Sequence, residues 1–219
     1  MNRPALLEIV RPLNVLALWA ATAAGARLSG AAGNSILIVV PALTAAFGYA
    51  RNDTVDMAPD RQNHPARPLP AGRLSTSAAS AVAWVCLAAA ALIALRFAPA
   101  DPRFPVTFVA SACLLYLYSP WIKDGGALGP ATVSALAALA VLWGGWLGPE
   151  PERAHAAAWL AAMMTFAREC AKDLEDLEGD RAAGRGSWPV RAGIAPVRLG
   201  VRLASIAALV ALAVPWVRG

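Results

Sequence analysis

The sequence predicts an all-α membrane protein, a bundle of about seven transmembrane helices. Of its 219 residues, 58% are hydrophobic and only 15% are charged, a composition typical of membrane proteins. A membrane helix needs about 20 apolar residues, and segments of that scale recur along the chain. Ala, Leu and Val dominate these segments without strand-like alternation, so we expect helices and not barrel strands.

The apolar segments follow one another with short polar interruptions. The first follows the N-terminal residues directly, without a pattern typical of a cleavable signal peptide. The second runs into an acidic stretch, the third follows a Pro-rich loop whose Ser75 or Ser77 can cap a helix, and the sixth runs into another acidic stretch. Approximate bounds are residues 13–28, 35–51, 79–97, 104–119, 127–148, 156–172 and 197–217.

The basic residues predict how this bundle is oriented. With a cytoplasmic N-terminus, fourteen of the nineteen Lys and Arg residues fall in inside segments and five in outside segments. We therefore expect one domain, residues 1–219, integral to the cell inner membrane, with the polar loops at about 52–78 and 173–196 on the cytoplasmic side. The basic residues follow no nucleic-acid recognition motif, so we expect no nucleic-acid partner.

Nine of the fourteen acidic residues lie in two stretches. Both stretches contain the pattern Asp-x-x-Asp-x-x-x-Asp, and the second follows the first by 120 residues. Within one pattern, the first two carboxylates share a helix face. Because Pro59 and Gly179 disfavour helix, we expect the third aspartate of each pattern to lie just past a helix end. The patterns are Asp53, Asp56 and Asp60, and Asp173, Asp176 and Asp180.

Carboxylates at a helix C-terminus oppose the helix dipole and repel one another, so the clusters favour a bound cation. Mg²⁺ suits them because it prefers oxygen ligands and typically bridges one or two carboxylates to substrate phosphates. Arginines follow both patterns and could bind phosphate, as could Lys123 between them. A solvated acidic loop would explain either pattern alone, but explains two identical spacings poorly. His64 is predicted to be a surface residue.

Three stretches in this order resemble the motifs of the UbiA superfamily of intramembrane prenyltransferases. The first is "NDTVDMAPDRQNHPARPLPAGRLS", similar to the first aspartate-rich motif with its Arg-Pro-x-Pro-x-Gly-Arg loop; the second is "LYLYSPWIKDGGALGP"; the third is "KDLEDLEGDRAAG". Within the superfamily, "LLEIVRPLNVL" and the third stretch are most similar to geranylgeranylglyceryl phosphate geranylgeranyltransferases. The family usually has nine membrane helices, against about seven predicted here.

The resemblance implies Mg²⁺-dependent transfer of a prenyl group from a prenyl diphosphate to a lipid-precursor or aromatic acceptor in the membrane. Geranylgeranylglyceryl phosphate, an ether-lipid precursor, is a candidate acceptor. The implied metal ligands are Asn52, Asp53, Asp56, Asp60, Asp173, Asp176 and Asp180. The implied diphosphate- or acceptor-binding residues are Asn52, Arg67, Lys123, Arg181, Arg11 and Asn14. The implied catalytic residues are Asp56, Asp176 and Lys123.

Two other interpretations remain open at this point. A shortened, non-catalytic membrane protein could use the same residues to bind prenyl diphosphate or a partner. A Mg²⁺-coupled transporter is less consistent with the sequence, because transporter sites usually lie near the bilayer midplane and these carboxylates lie near one membrane face.

Overall fold

The computed structural model describes residues 5–32, 35–98 and 100–217. These residues form α-helices and no β-strand beyond a single bridge between Gly126 and Ser187. The helices are α1 (Ala5–Ile9), α2 (Pro12–Leu28), α3 (Val40–Val55), α4 (Met57–Asn63), α5 (Thr76–Phe97), α6 (Arg103–Leu117), α7 (Leu128–Gly145), α8 (His155–Glu175), α9 (Leu177–Ala182), α10 (Trp188–Ala192) and α11 (Ile194–Val217). Arg3 and Arg218, which enter the predicted charge bias, lie outside the described residues.

The predicted all-α fold is confirmed. In the described residues, seven helices have 15 or more residues, and each coincides with one predicted apolar segment. Four stretches are long and apolar enough to cross a membrane: Thr76–Phe97, Arg103–Ile122, Leu128–Gly145 and Ile194–Ala213. Large apolar side chains on these helices are exposed, Leu95 by 83% and Leu209 by 67%, as suits contact with lipid. The number of crossings and the cytoplasmic N-terminus stay predictions.

The chain divides into two compact units, and its prediction as one domain stays a prediction. The first unit comprises the described residues of 1–20 and 34–120. In it, α3 packs along α5 and contacts α6, while the short α1 packs against α3 and α5. Its core contains Ile9, Phe47, Ala50, Leu69, Ala79 and Ala83.

The second unit comprises the described residues of 21–33 and 121–219. In it, α8 packs against both α7 and α11. Small residues let backbones approach closely here: a methyl group on Gly144 would overlap the carbonyl oxygen of Thr22, and one on Gly25 would overlap that of Val141. Close packing of this kind is expected where helices associate in lipid.

The polar segments predicted as loops contain short helices. Residues 52–78 include α4, and residues 173–196 include α9 and α10. The Pro-rich loop ends as expected, because Ser75 Oγ accepts a hydrogen bond from the backbone N–H of Ala78 at 3.2 Å and caps α5.

Candidate active site

Each acidic pattern lies at a break between a long helix and a short one. Helix α3 ends at Val55 and α4 begins at Met57; α8 ends at Glu175 and α9 begins at Leu177. The second aspartate of each pattern occupies the break, with φ −86° and ψ 18° at Asp56 and φ −83° and ψ 0° at Asp176. The equal spacing in sequence therefore corresponds to a similar local backbone conformation.

The expectation that the third aspartate lies past a helix end is wrong. Asp60 lies inside α4 and Asp180 inside α9, and their backbone N–H groups donate to the carbonyls of Asp56 and Asp176, both at 2.9 Å. Pro59 is the third residue of α4, where a backbone N–H has no acceptor within the helix, so a proline is tolerated.

Pro59 explains part of the break in the first pattern. A helical proline loses its hydrogen bond to the carbonyl four residues earlier and clashes with it, and that carbonyl belongs to Val55, where α3 ends. Gly179 occupies the equivalent position in α9, where its low helix propensity weakens a continuous helix without a clash.

The carboxylates of the first pattern are buried, and those of Asp53 and Asp60 are paired with arginine. Asp53, Asp56 and Asp60 are exposed by 5% or less. Arg11 Nη2 lies 2.5 Å from Asp53, and Arg67 Nη1 lies 2.7 Å from Asp60 and 3.6 Å from Asp53. Burial raises the pKa of Asp60, while the Arg67 guanidinium opposes this shift.

Arg11 reaches Asp53 from the junction of α1 and α2. Its φ is 52°, the only positive value at a non-glycine residue in the described part of the chain. That conformation is uncommon outside glycine, so its presence here indicates a fixed backbone. Its guanidinium also lies over the ring of Tyr49, 5.2 Å from the centroid. Asn14, predicted with Arg11, is half-buried in the first turn of α2, and its role stays a prediction.

Asn52 is held by a residue that we did not single out from the sequence. Ser119 Oγ donates a hydrogen bond to Asn52 Oδ1 at 2.8 Å, and Ser119 itself is buried. Because the carbonyl oxygen of the amide accepts from Ser119, the bond fixes the plane of the Asn52 side chain. Ser119 belongs to the "YSPWIK" stretch, so that motif contributes to the first acidic pattern as well as supplying Lys123.

A cavity of about 460 Å³ lies beside the first pattern within the first unit. Arg11, Arg67 and Asp53 line it, together with Glu8 and the segment 63–68. His64, expected at the surface, is half-buried and belongs to this lining. Two guanidinium groups in the lining of one cavity suit an anionic group such as a phosphate.

The second pattern is less deeply buried. Asp180 is 5% exposed, whereas Asp173 and Asp176 are half-buried, with Asp176 lying 3.9 Å from Lys172 Nζ. Burial raises the pKa of Asp173 to about 7, with Glu169 and Asp180 adding to the shift and Lys172 and Lys123 opposing it. Asp173 lies just past the predicted span 156–172. Because the charge of Lys123 acts on Asp173, Lys123 lies near this pattern within the second unit.

Two arginines, Arg181 and Arg185, follow the second pattern. Arg185 forms an ion pair, although only Arg181 was assigned a role from the resemblance. Arg181, predicted to bind phosphate, is exposed in α9, and that role stays a prediction. Arg185 is instead largely covered, with 13% of its side chain exposed, and Nε lies 3.1 Å from Asp124.

The donors of each pattern, taken separately, fit Mg²⁺. In the described part of the chain, no three His, Cys, Asp or Glu side chains converge closely enough to hold a metal ion by themselves. Mg²⁺ does not need such a cage, because it takes one or two carboxylates and completes its octahedron with water and substrate phosphates. Carboxylate oxygens beside arginine and lysine therefore suit a Mg²⁺–diphosphate pair.

The fold and these residues define an all-α membrane protein with two aspartate-rich helix breaks. The model of the UbiA prenyltransferase family matches residues 13–219. The chain belongs to this family, which confirms the resemblance seen in its motifs and identifies it as a membrane-embedded prenyltransferase.

Two curated relatives illustrate the similarity. A protein from Methanopyrus kandleri named digeranylgeranylglyceryl phosphate synthase is 33% identical over 219 residues, covering 98% of this chain and 79% of the relative. A protein of the same name from Halobacterium salinarum is 36% identical over 197 residues, covering 86% of this chain and 69% of the relative.

Solved structures show the same fold. A UbiA homolog from Archaeoglobus fulgidus, solved bound to GPP and Mg²⁺, has a TM-score of 0.77 at 22% identity, covering 98% of this chain and 78% of that one. A structure described as digeranylgeranylglyceryl phosphate synthase in membranes has a TM-score of 0.73 at 23% identity, covering 97% of this chain and 77% of that one.

Proposed function

We propose that this prenyltransferase transfers a geranylgeranyl group from its diphosphate to geranylgeranylglyceryl phosphate, with Mg²⁺ as cofactor. The observation that supports this most directly is the pair of matched acidic patterns, each at a helix break, in a chain 33% identical to a digeranylgeranylglyceryl phosphate synthase. The name of the relative supplies the product; the chemistry of the patterns supplies the metal and diphosphate.

The proposed roles follow from charge. The carboxylates of each pattern, with Asn52, bind Mg²⁺, and Lys123, Arg67 and Arg181 bind diphosphate oxygens. When bound, Mg²⁺ neutralises the negative charge that develops on the departing diphosphate. Asp56 and Asp176 occupy the breaks themselves, where their backbone is fixed by hydrogen bonds from Asp56 N–H to the Asn52 carbonyl and from Asp176 N–H to the Lys172 carbonyl.

The acceptor carries its own phosphate, and Arg11 in the lining of the cavity beside the first pattern offers a guanidinium group to bind it. Apolar helix faces would hold the prenyl chains and keep water from the allylic cation that forms when the diphosphate leaves. Arg11 and Asn14, at the start of α2, are therefore proposed as acceptor-binding residues.

The test is a transfer assay on purified protein with Mg²⁺ and radiolabelled geranylgeranyl diphosphate. We expect a labelled product with geranylgeranylglyceryl phosphate, weaker or no product with aromatic and quinone-precursor acceptors, and no product after EDTA treatment. If only an aromatic acceptor gives a labelled product, the proposed acceptor is wrong and the acceptor is aromatic. Diphosphate binding without product from any acceptor would instead indicate a non-catalytic binding protein.

We further propose that the protein lies in the cell inner membrane with both acidic patterns facing the cytoplasm, because most basic residues then lie inside. Single cysteines at the exposed positions Gln62 and Glu152 test this in a variant whose native cysteines are serine. We expect a membrane-impermeant thiol reagent applied from the cytoplasmic side to label position 62 and not position 152. The reverse pattern would invert the orientation.

A further inference from the structure

Asp124, the residue after Lys123, joins two loops of the second unit. Its Oδ1 atom accepts a hydrogen bond from the backbone N–H of Gly186 at 3.2 Å, and the Arg185 Nε atom forms an ion pair with it at 3.1 Å. The segment after Ile122 is thereby tied to the segment that leaves α9. Neither the motifs nor the proposed function gives Asp124 a role.

The backbones of the two loops are fitted closely around this contact. The N–H of Gly126 donates to the carbonyl of Gly186 at 3.3 Å, and Arg191 Nε donates to the same carbonyl at 3.0 Å. A methyl group on Gly186 would lie 2.6 Å from the backbone oxygen of Asp124, so only glycine fits there. Gly126 and Gly184 have φ values of 67° and 68°, which side-chain-bearing residues rarely adopt.

Each loop is also connected to a residue of the proposed site, Lys123 on one side and the metal ligand Asp180 on the other. On one side, Lys123 directly precedes Asp124, and its charge acts on Asp173. On the other side, the backbone N–H of Arg185 donates to the carbonyl of Asp180 at 2.8 Å. The contacts of Asp124 therefore link the segment that carries Lys123 to the segment that follows the second acidic pattern.

We propose that Asp124 is a positioning residue, which holds Lys123 against the second acidic pattern through its contacts with Arg185 and Gly186. A lysine ammonium is a point charge on a flexible four-carbon chain, so its position depends strongly on where its backbone is fixed. This inference rests on the proposed function, in which Lys123 binds the diphosphate.

The test is a double-mutant cycle on the affinity for geranylgeranyl diphosphate in the presence of Mg²⁺. We expect Asp124→Ala to weaken binding about tenfold when Lys123 is present, and to have no further effect in the Lys123→Ala protein, because the two residues act as one unit. Asp124→Asn keeps an acceptor for Gly186 but loses the charge beside Arg185, so its loss should be smaller. Equal losses in both backgrounds would overturn the inference.

A matched control and a substrate-free measurement accompany the cycle. Glu150→Ala removes an acidic residue from an exposed ion pair with Arg153 in the same unit and should leave the affinity unchanged. Trypsin should cleave unliganded Asp124→Ala protein after Arg185 faster than it cleaves the wild type or Glu150→Ala protein. Equal cleavage rates would show that Asp124 does not hold the loop, and would overturn the inference.

The two possible failures give different results. If wild-type protein binds no geranylgeranyl diphosphate, the proposed function fails and the inference fails with it. If wild-type protein binds and transfers normally while Asp124→Ala and Asp124→Asn keep wild-type affinity, only the inference fails.

Discussion

The Nη1 atom of Arg67 lies 2.7 Å from both carboxylate oxygens of Asp60. Asp60 is nearly buried, with 7% of its side chain exposed, so this guanidinium is the main counter-charge of that carboxylate. A guanidinium has five N–H donors, and an ion pair through one nitrogen leaves the group able to bind phosphate oxygens as well. Arg67 can therefore belong both to the first acidic pattern and to a diphosphate site.

Arg67→Ala should destabilise the protein when no divalent cation is present. Removing one partner of a buried ion pair leaves an uncompensated charge and costs about 3 kcal/mol. Added Mg²⁺ should restore part of this loss, because a cation bound by the carboxylates replaces the missing charge. The measurement is the melting temperature in detergent, with and without Mg²⁺.

Arg61→Ala is the matched control for Arg67→Ala, since Arg61 is an exposed arginine next to Asp60 in α4. We expect its melting temperature to stay near that of the wild type in both conditions. An Arg67→Ala protein as stable as wild type without Mg²⁺ would contradict the importance of the ion pair.

Ser119→Ala should lower kcat/KM without a large loss of stability. The variant removes the hydroxyl that fixes the Asn52 amide, and a neutral hydrogen bond of this kind contributes about 1 kcal/mol. Ser119→Thr keeps a hydroxyl and should retain more activity than Ser119→Ala. Transfer kinetics with both variants test this, and equal activity in the wild type and Ser119→Ala would show that Asn52 needs no such support.

Much of this site follows from local sequence. Hydropathy placed all seven long helices, and the repeated aspartate spacing located both helix breaks, because each depends on residues close in the chain. The position of the third aspartate was wrong for a physical reason. A proline at the third residue of a short helix is compatible with helix, although inside a continuous helix it removes a hydrogen bond and clashes with a carbonyl. A glycine only lowers the stability of a helix and does not end it.

The contacts between distant residues could not be predicted in this way. Ser119 meets Asn52 across 67 positions, and Arg11 meets Asp53 across 42. Such pairs depend on how helices pack and not on periodicity within one segment. Ser119 and Asp124 both lie in the second motif stretch, but the motif does not indicate the partner of either residue.

Asp176→Ala should abolish transfer while leaving the fold intact. Asp176 occupies the break between α8 and α9, and its half-buried carboxylate makes a long ion pair of 3.9 Å with Lys172, so the loss of stability should be small. Glu178→Ala, two residues later on the exposed side of α9, is the control and should remain active. An active Asp176→Ala protein would contradict the proposed metal role.

Gly144→Ala should severely destabilise the packing of α2 on α7 in the second unit. The new methyl group would overlap the backbone oxygen of Thr22, and a clash with backbone cannot be relieved by a change of rotamer. Forcing the helices apart costs about 3 kcal/mol and separates small residues over a longer stretch. Ala135→Leu adds more atoms at an exposed position of the same helix and should leave stability unchanged. Size-exclusion profiles and melting temperatures of the two variants decide the question, and a Gly144→Ala protein with wild-type stability would show that the two backbones do not lie in contact.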